Sequence, residues 1–254
     1  MTVKEIYDLI DNFAPFCIAM QGDNPGLLIG HSDAKVERVL VTLDADIPAL
    51  EKAVEEKCQL ILAHHPFIFS GESHISDRTG QGKKILFAIE HGLAVISAHT
   101  NLDSCEGGIN DTLGALLGLR VTDKFCPTQN GGFLGRIGTH DFDSPEHFLH
   151  YAAGVLHTKP RYRFVSENFE HIAWVSGSGS SCMEDAKAAG ADTLITGDCK
   201  YSAFMNAAEM ELNLIDLGHF ETEQIIVPVL AELLENAGIE VVCQNIPSPI
   251  KTLE

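Results

Sequence analysis

The sequence predicts an α/β protein built largely on parallel sheets, and two observations carry that prediction. Short apolar strands alternate with helical stretches nearly throughout, which favours parallel pairing. The chain has 254 residues, 45% hydrophobic and 21% charged, enough for one large α/β domain or two lobes with full cores.

Thr2 and Glu5 form a capping box before a helix whose Ile6, Leu9, Ile10 and Phe13 share one face. Pro15 stops it. Gln21 to Gly26 is turn chemistry, and Leu27-Leu28-Ile29 is a short strand. Val39 to Leu43 is a buried strand, Ile47 to Lys57 a helix, and Cys58 to Ala63 the next strand, ending at His64-His65-Pro66. A polar loop over 70–82 leads to a helix from Lys83 to Glu90, and Leu93 to Ala98 is a strand running into His99-Thr100-Asn101-Leu102-Asp103. A helix spans Asn110 to Leu117.

After Gly118 the pattern loosens, and Cys126-Pro127 with Asn130-Gly131-Gly132 marks a lobe boundary. The organisation expected is a first lobe over 1–126, a second over 127–223, and a closing helix and strand over 224–254 that return to the first lobe. In the second lobe Phe133 to Ile137 is a strand, and Ser144-Pro145-Glu146 opens a helix. Arg161 to Val165 and Ile172 to Val175 are strands, the latter followed by Gly177-Ser178-Gly179-Ser180-Ser181 and a helix through Ala189. Thr193 to Thr196 ends at Gly197-Asp198, and Leu212 to Leu217 at Gly218-His219; a last helix covers Thr222 to Ala237, and Ile239 to Val242 is a final strand.

Composition excludes several classes. With 17 Lys+Arg against 36 Asp+Glu the formal net charge is −19, which repels a duplex and argues against general nucleic-acid binding. The densest basic spot, Arg161-Tyr162-Arg163, is brief. Seven scattered cysteines with no Cys-x-x-Cys pair suggest reduced thiols, with neither a disulfide framework nor a thiolate zinc site. No signal-peptide core stands at Met1 to Glu5, and no apolar run reaches the roughly 20 residues of a membrane span. A cytoplasmic protein with no membrane association is expected.

Ligands of open α/β sheets gather at the carboxyl ends of strands. Four strands end in groups that bind metal: His64-His65, His99 to Asp103, Gly197-Asp198, and His219 with Glu223. Imidazole with carboxylate suits Zn, Mn, Fe, Co or Ni. Adjacent residues of an extended strand point in opposite directions, so His64 and His65 reach two ions about 3.5–4 Å apart more easily than one. His219 and Glu223 are four apart at a helix start and lie on one face. Each group also has a plainer use: hydrogen-bonded strand-end histidines, a turn former at Asp103, a first-turn acid at Glu223. His99 suits an orienting partner, or a core position. The glycine-serine loop at Gly177, Ser178 and Gly179 either cradles an anion with backbone N–H groups or is a plain βα turn.

These segments together resemble the Nif-three-like family, the GTP cyclohydrolase 1 type 2 homologs. The resemblance rests on Asp23-Asn24-Pro25-Gly26-Leu27, Ala63-His64-His65-Pro66, His99 to Asp103 with Gly107-Gly108-Ile109-Asn110-Asp111, the Gly177 to Ser181 loop, Thr196-Gly197-Asp198, and Gly218-His219-Phe220-Glu221-Thr222-Glu223, in family order over nearly the whole chain. The chain departs from it at Ser70 to His74, where many relatives carry a proline-leucine-lysine pattern, and it lacks an insert some relatives have between lobes. The resemblance implies two α/β lobes with a dinuclear metal site in the cleft between them, and a ring-shaped homohexamer. The ligands it implies are His65 and Asp103 on one divalent ion, His64 and His219 on the other, and Glu223 bridging.

Two ions of about +4 against about −2 from Asp103 and Glu223 make a site that activates water and attracts a small anionic substrate such as a nucleotide. The expected function is a metal-dependent hydrolase acting on a nucleotide or other phosphate-bearing small molecule. Its catalytic residues are not assigned; His99 and Glu221 are the candidates, and Gly177, Ser178 and Gly179 are candidates for substrate contact. The alternative is a non-enzymatic metal carrier or oligomeric interaction protein.

Overall fold

A computed structural model describes residues 1–244 and 246–251; residues 245 and 252–254 of the expected closing segment lie outside that description. Among the described residues the chain forms two compact units, Met1–Leu102 with Ile226–Ile246, and Asp103–Ile225 with residues 247–251. Helix α1 (Val3–Phe13) opens the first unit, its Thr2 hydroxyl capping the Glu5 amide while the Glu5 carboxylate accepts from the Thr2 N–H at 2.7 Å. Strands β1 (Gly26–Ile29) and β2 (Arg38–Thr42), helix α2 (Ile47–Glu55), β3 (Leu60–Ala63), α3 (Gly80–Glu90) and β4 (Ala94–Ser97) follow. Helix α4 (Thr100–Ser104) carries the chain into the second unit, which contains α5 (Ile109–Leu116), β5 (Arg120–Pro127), β6 (Phe133–Thr139), α6 (Pro145–Leu156), β7 (Arg161–Arg163), β8 (Ile172–Trp174), α7 (Met183–Ala188), β9 (Thr193–Thr196), α8 (Tyr201–Glu209), β10 (Asn213–Asp216) and α9 (His219–Glu223). Helix α10 (Ile226–Asn236) and strand β11 (Glu240–Cys243) belong to the first unit again. The helix read from the sequence over Thr222 to Ala237 is thus two helices, α9 and α10.

The first sheet has the order β1-β4-β3-β2-β11, parallel from β4 through β11, with β1 antiparallel at one edge. The second has the order β5-β6-β8-β9-β10-β7, and here the expectation of a mainly parallel sheet needs correction. Only β8, β9 and β10 run parallel, while β5, β6 and β7 pair antiparallel. The link from β5 to β6 spans only Thr128 to Gly132, too short for the crossover that parallel strands need. The loosened pattern read as a lobe boundary is β5 itself, whose first residues, Arg120 to Asp123, are exposed and so carry no apolar signature.

In the first unit Leu40, Leu50, Ile61, Ile85 and Val95 pack with α2 and α3 against the sheet. In the second, Trp174 is fully buried with Phe148, Leu113 and Ile215 on one side of the sheet, and Leu194, Leu214 and Met183 form the other cluster. Gly114 makes room for the Trp174 ring, since a Cβ there would stand 2.6 Å from it. The Trp174 indole N–H donates to the Asn110 carbonyl at 2.7 Å.

The expectation of uniformly reduced thiols is also corrected. Cys126 and Cys182 form a disulfide in the second unit, their Cα atoms 5.8 Å apart. They are 56 residues apart in sequence, a separation that spacing motifs do not report.

Candidate metal centre

The parallel ladder of the first unit continues past its assigned strands. His64 N–H donates to the Thr42 carbonyl at 3.3 Å and His65 N–H to the Leu43 carbonyl at 3.0 Å, but the chain bends at both histidines, so their rings lie side by side with centroids 5.0 Å apart and not on opposite faces as expected of an extended strand. The Ser97 hydroxyl at the end of β4 then fixes the turn at Pro66, donating to the His65 carbonyl at 3.1 Å and accepting from Phe67 N–H at 3.2 Å. His99, after β4, brings its ring centroid to 5.2 Å from that of His64 and 5.8 Å from that of His65. One ligand-type atom from each of His64, His65 and His99 lies within 4.8 Å of the others.

All three imidazoles are held through Nδ1. His64, fully buried, meets the Ala98 carbonyl at 2.8 Å; His65 meets Asp44 Oδ1 at 2.8 Å; His99 meets Asp23 Oδ1 at 2.8 Å. An acceptor at Nδ1 places the proton there and leaves the Nε2 lone pair as a donor to a cation, the arrangement metal-binding histidines adopt. Burial opposes ionisation of Asp23, but hydrogen bonds from His99, Thr100 and the Asn24 amide outweigh it and hold the carboxyl at about 2.

The candidate carboxylates Asp103 and Glu223 lie in the second unit. Both are buried. The Asp103 carbonyl accepts from the Asn110 side-chain amide at 3.2 Å, and the same amide group reaches the Leu134 carbonyl at 2.8 Å while its oxygen accepts from Ser176 N–H at 2.8 Å. One buried side chain thus locates both the Asp103 backbone and the start of the glycine-serine loop. Arg136, fully buried, braces the same region, with Nε 2.6 Å from Asp111 Oδ1 and Nη2 2.7 Å from the Cys105 carbonyl.

His219 and Glu223 face each other across one turn of α9, with Nε2 to Oε2 at 2.9 Å, and His219 Nδ1 lies 2.8 Å from Asp198 Oδ2. The loop is shaped around them: a Cβ at Gly177, which sits at φ +58, would overlap Glu223 Oε1 and stand 3.2 Å from His219 Nε2. Gly177 N–H donates to the Thr222 hydroxyl at 2.9 Å and Gly179 N–H to the Thr196 hydroxyl at 2.7 Å, so these two amides tie the loop to α9 and β9, and Ser178 between them is exposed. Glu221 rests against Gly218, where a Cβ would overlap its carboxylate. The structure thus groups His64, His65 and His99 in one unit, and Asp103, His219 and Glu223 belong to the other. The donor set, neutral imidazoles with anionic oxygens, fits a divalent ion of borderline softness. Sequence reading missed Asp44 as the partner of His65, although its position two residues past a strand end was a usable signal.

Two α/β units whose strand ends present oriented imidazoles and buried carboxylates define a class of possible metal-binding proteins. Residues 1–249 match the family model Duf34/NIF3 (NGG1p interacting factor 3). The chain belongs to this family. It is 35% identical over 243 residues to a GTP cyclohydrolase 1 type 2 homolog of Clostridium perfringens, covering 92% of this chain and 90% of that protein. A protein of the same name from Clostridium acetobutylicum is 32% identical over 245 residues, 93% of this chain and 91% of the relative. Among solved structures, Staphylococcus aureus protein SA1388 superposes with a TM-score of 0.87 at 25% identity, covering 100% of this chain and 99% of that one. Reduced HcgD from Methanocaldococcus jannaschii gives 0.84 at 29% identity, over 97% and 98%. No helix among the described residues is long and apolar enough to cross a membrane.

Proposed function

We propose that this protein is a metal-dependent hydrolase in which His65 and Asp103 hold one divalent ion, His64 and His219 a second, and Glu223 bridges them. The observation that carries the proposal is the Nδ1 anchoring of His64 and His65, each on an oxygen acceptor at 2.8 Å, which leaves Nε2 as the donor toward a cation, together with His219, anchored the same way through Nδ1 and with Nε2 2.9 Å from the Glu223 carboxylate that would share the ion. Two such ions lower the pKa of water and stabilise charge developing on a phosphoryl group or purine ring. The substrate class is a small anion, a nucleotide or other phosphate-bearing molecule, as the relatives' name suggests.

The chain's own residues do the rest. His99, fixed by the ionised Asp23, presents Nε2 as a proton acceptor beside the ion-holding imidazoles. Glu221 is the second candidate for proton transfer. The turn at Gly177 and Gly179 contributes by shape and Ser178 by its exposed hydroxyl. A cytoplasmic homohexamer completes the reading, and light scattering of the purified protein tests the assembly.

Loading with Zn, Mn, Fe, Co and Ni and counting metal per chain tests the site; a value near zero for every metal sinks it. Turnover of GTP and generic phosphoesters tests the chemistry. If the loaded wild type and a His64→Ala, Glu223→Ala double variant are equally inert, the second reading stands, a metal carrier or interaction protein, which the family description as an interacting factor favours.

A further inference from the structure

The two units repeat one local device. In the first, β2 and β3 run parallel with Thr42 beside Ala63, so Asp44 and His65 lie at matching positions two residues past their strand ends, 21 residues apart in sequence. In the second, β9 and β10 run parallel with Thr196 beside Asp216. Asp198 and His219 leave those strand ends, again 21 residues apart. In both, the carboxylate follows the first strand of a β-helix-β passage by two residues and the imidazole follows the second, by two residues at His65 and three at His219, and the Nδ1 to oxygen distance is 2.8 Å.

Both carboxylates stand half in solvent. The side chains of Asp44 and Asp198 are 48% and 51% exposed, and exposed ion pairs contribute little to stability. Asp198 moreover sits at φ +54, a backbone region that L side chains rarely adopt and that Asp tolerates better than most. Gly197 before it packs so closely on Gly218 that a Cβ would come 2.6 Å from the Gly218 carbonyl carbon. The backbone is bent to a sparsely populated conformation where it sets Asp198 against His219.

We propose that Asp44 and Asp198 are matched positioning residues, one per unit, that fix the ring orientation and proton placement of His65 and His219 for metal binding. This rests on the metal reading above. Each carboxylate keeps the proton on Nδ1 and makes Nε2 the stronger donor. At His64 the Nδ1 partner is instead the neutral Ala98 carbonyl.

The test uses the full-length protein loaded with Co(II), its affinity read by chelator competition and its geometry by the visible spectrum. Asp44→Ala and Asp198→Ala are each expected to weaken binding by roughly 10–100-fold and to alter the Co(II) bands. Asp44→Asn and Asp198→Asn, which keep an acceptor oxygen, recover part of the loss. Melting of the metal-free variants stays at the wild-type value. A wild type that takes up no ion overturns the metal reading and this role with it. A wild type that binds while the alanine variants bind equally well overturns this role alone. So does a lowered melting temperature of the metal-free variants without rescue by asparagine, which makes the carboxylates structural.

Discussion

The first unit positions its functional groups with apolar strands, the second with buried polar struts. Strands β3 and β4 are buried throughout and differ from a plain parallel core only where they end. The second unit instead carries Arg136 and Asn110, both fully buried, through its centre; Asn110 bonds to the Asp103 carbonyl and the Ser176 amide, and Arg136 to Asp111 and the Cys105 carbonyl. An apolar strand tolerates exchange of side chains of similar volume. A polar strut does not, because each lost partner leaves a buried group unsatisfied.

The sharpest way to break this comparison is a matched pair of substitutions to methionine. Arg136→Met is expected to destabilise by about 3–5 kcal/mol, since Asp111 and buried carbonyls lose their donor, whereas Leu62→Met costs less than about 1.5 kcal/mol; urea unfolding measures both. Equal losses would erase the distinction. Reduction of the Cys126–Cys182 bond opens a loop of 56 residues and is expected to remove up to about 4 kcal/mol, read as a lower melting temperature in dithiothreitol that a Cys126→Ser variant does not show further.

A smaller effect is expected at Gly177. Alanine there meets both the positive φ and Glu223, for a cost of about 1–3 kcal/mol, with reduced metal uptake if Glu223 is displaced; Gly92→Ala, also at positive φ but in open space, separates the two contributions. The smallest effect concerns pH in the first unit. Asp23 is lowered from 3.8 to about 2, so the folded state favours its ionised form. That contribution is fully present above pH 4 or so and fades as pH falls toward 2. Urea midpoints from pH 5 to 2.5 should therefore fall less steeply in Asp23→Asn than in wild type.

Much of the first unit was legible because its signals are local. A buried strand such as Leu60 to Ala63 announces itself by composition, and its abrupt change to His64-His65-Pro66 marks the end where ligands collect. The second unit was harder to read for a physical reason. Strand β5 exposes its first half, so its periodicity is masked; β7, although exposed at all three residues, falls within the strand read over Arg161 to Val165. The partners that orient the imidazoles were not legible either. Asp23 and His99 lie 76 residues apart, and only the register of β1 on β4 brings those segments together. The disulfide stayed hidden for the same reason: the contact between Cys126 on β5 and Cys182 in the turn before α7 leaves no trace in spacing.

Asn110 locates the Asp103 backbone, the β6 carbonyl at Leu134 and the Ser176 amide ahead of Gly177 with one side chain. In a machinist's terms these parts share a datum. A displacement of Asn110 moves them together and preserves their spacing, so these parts of the second unit are protected against rigid drift. The same arrangement leaves it vulnerable at one point, because a change of that amide would release Asp103 and the glycine-serine loop from each other at once.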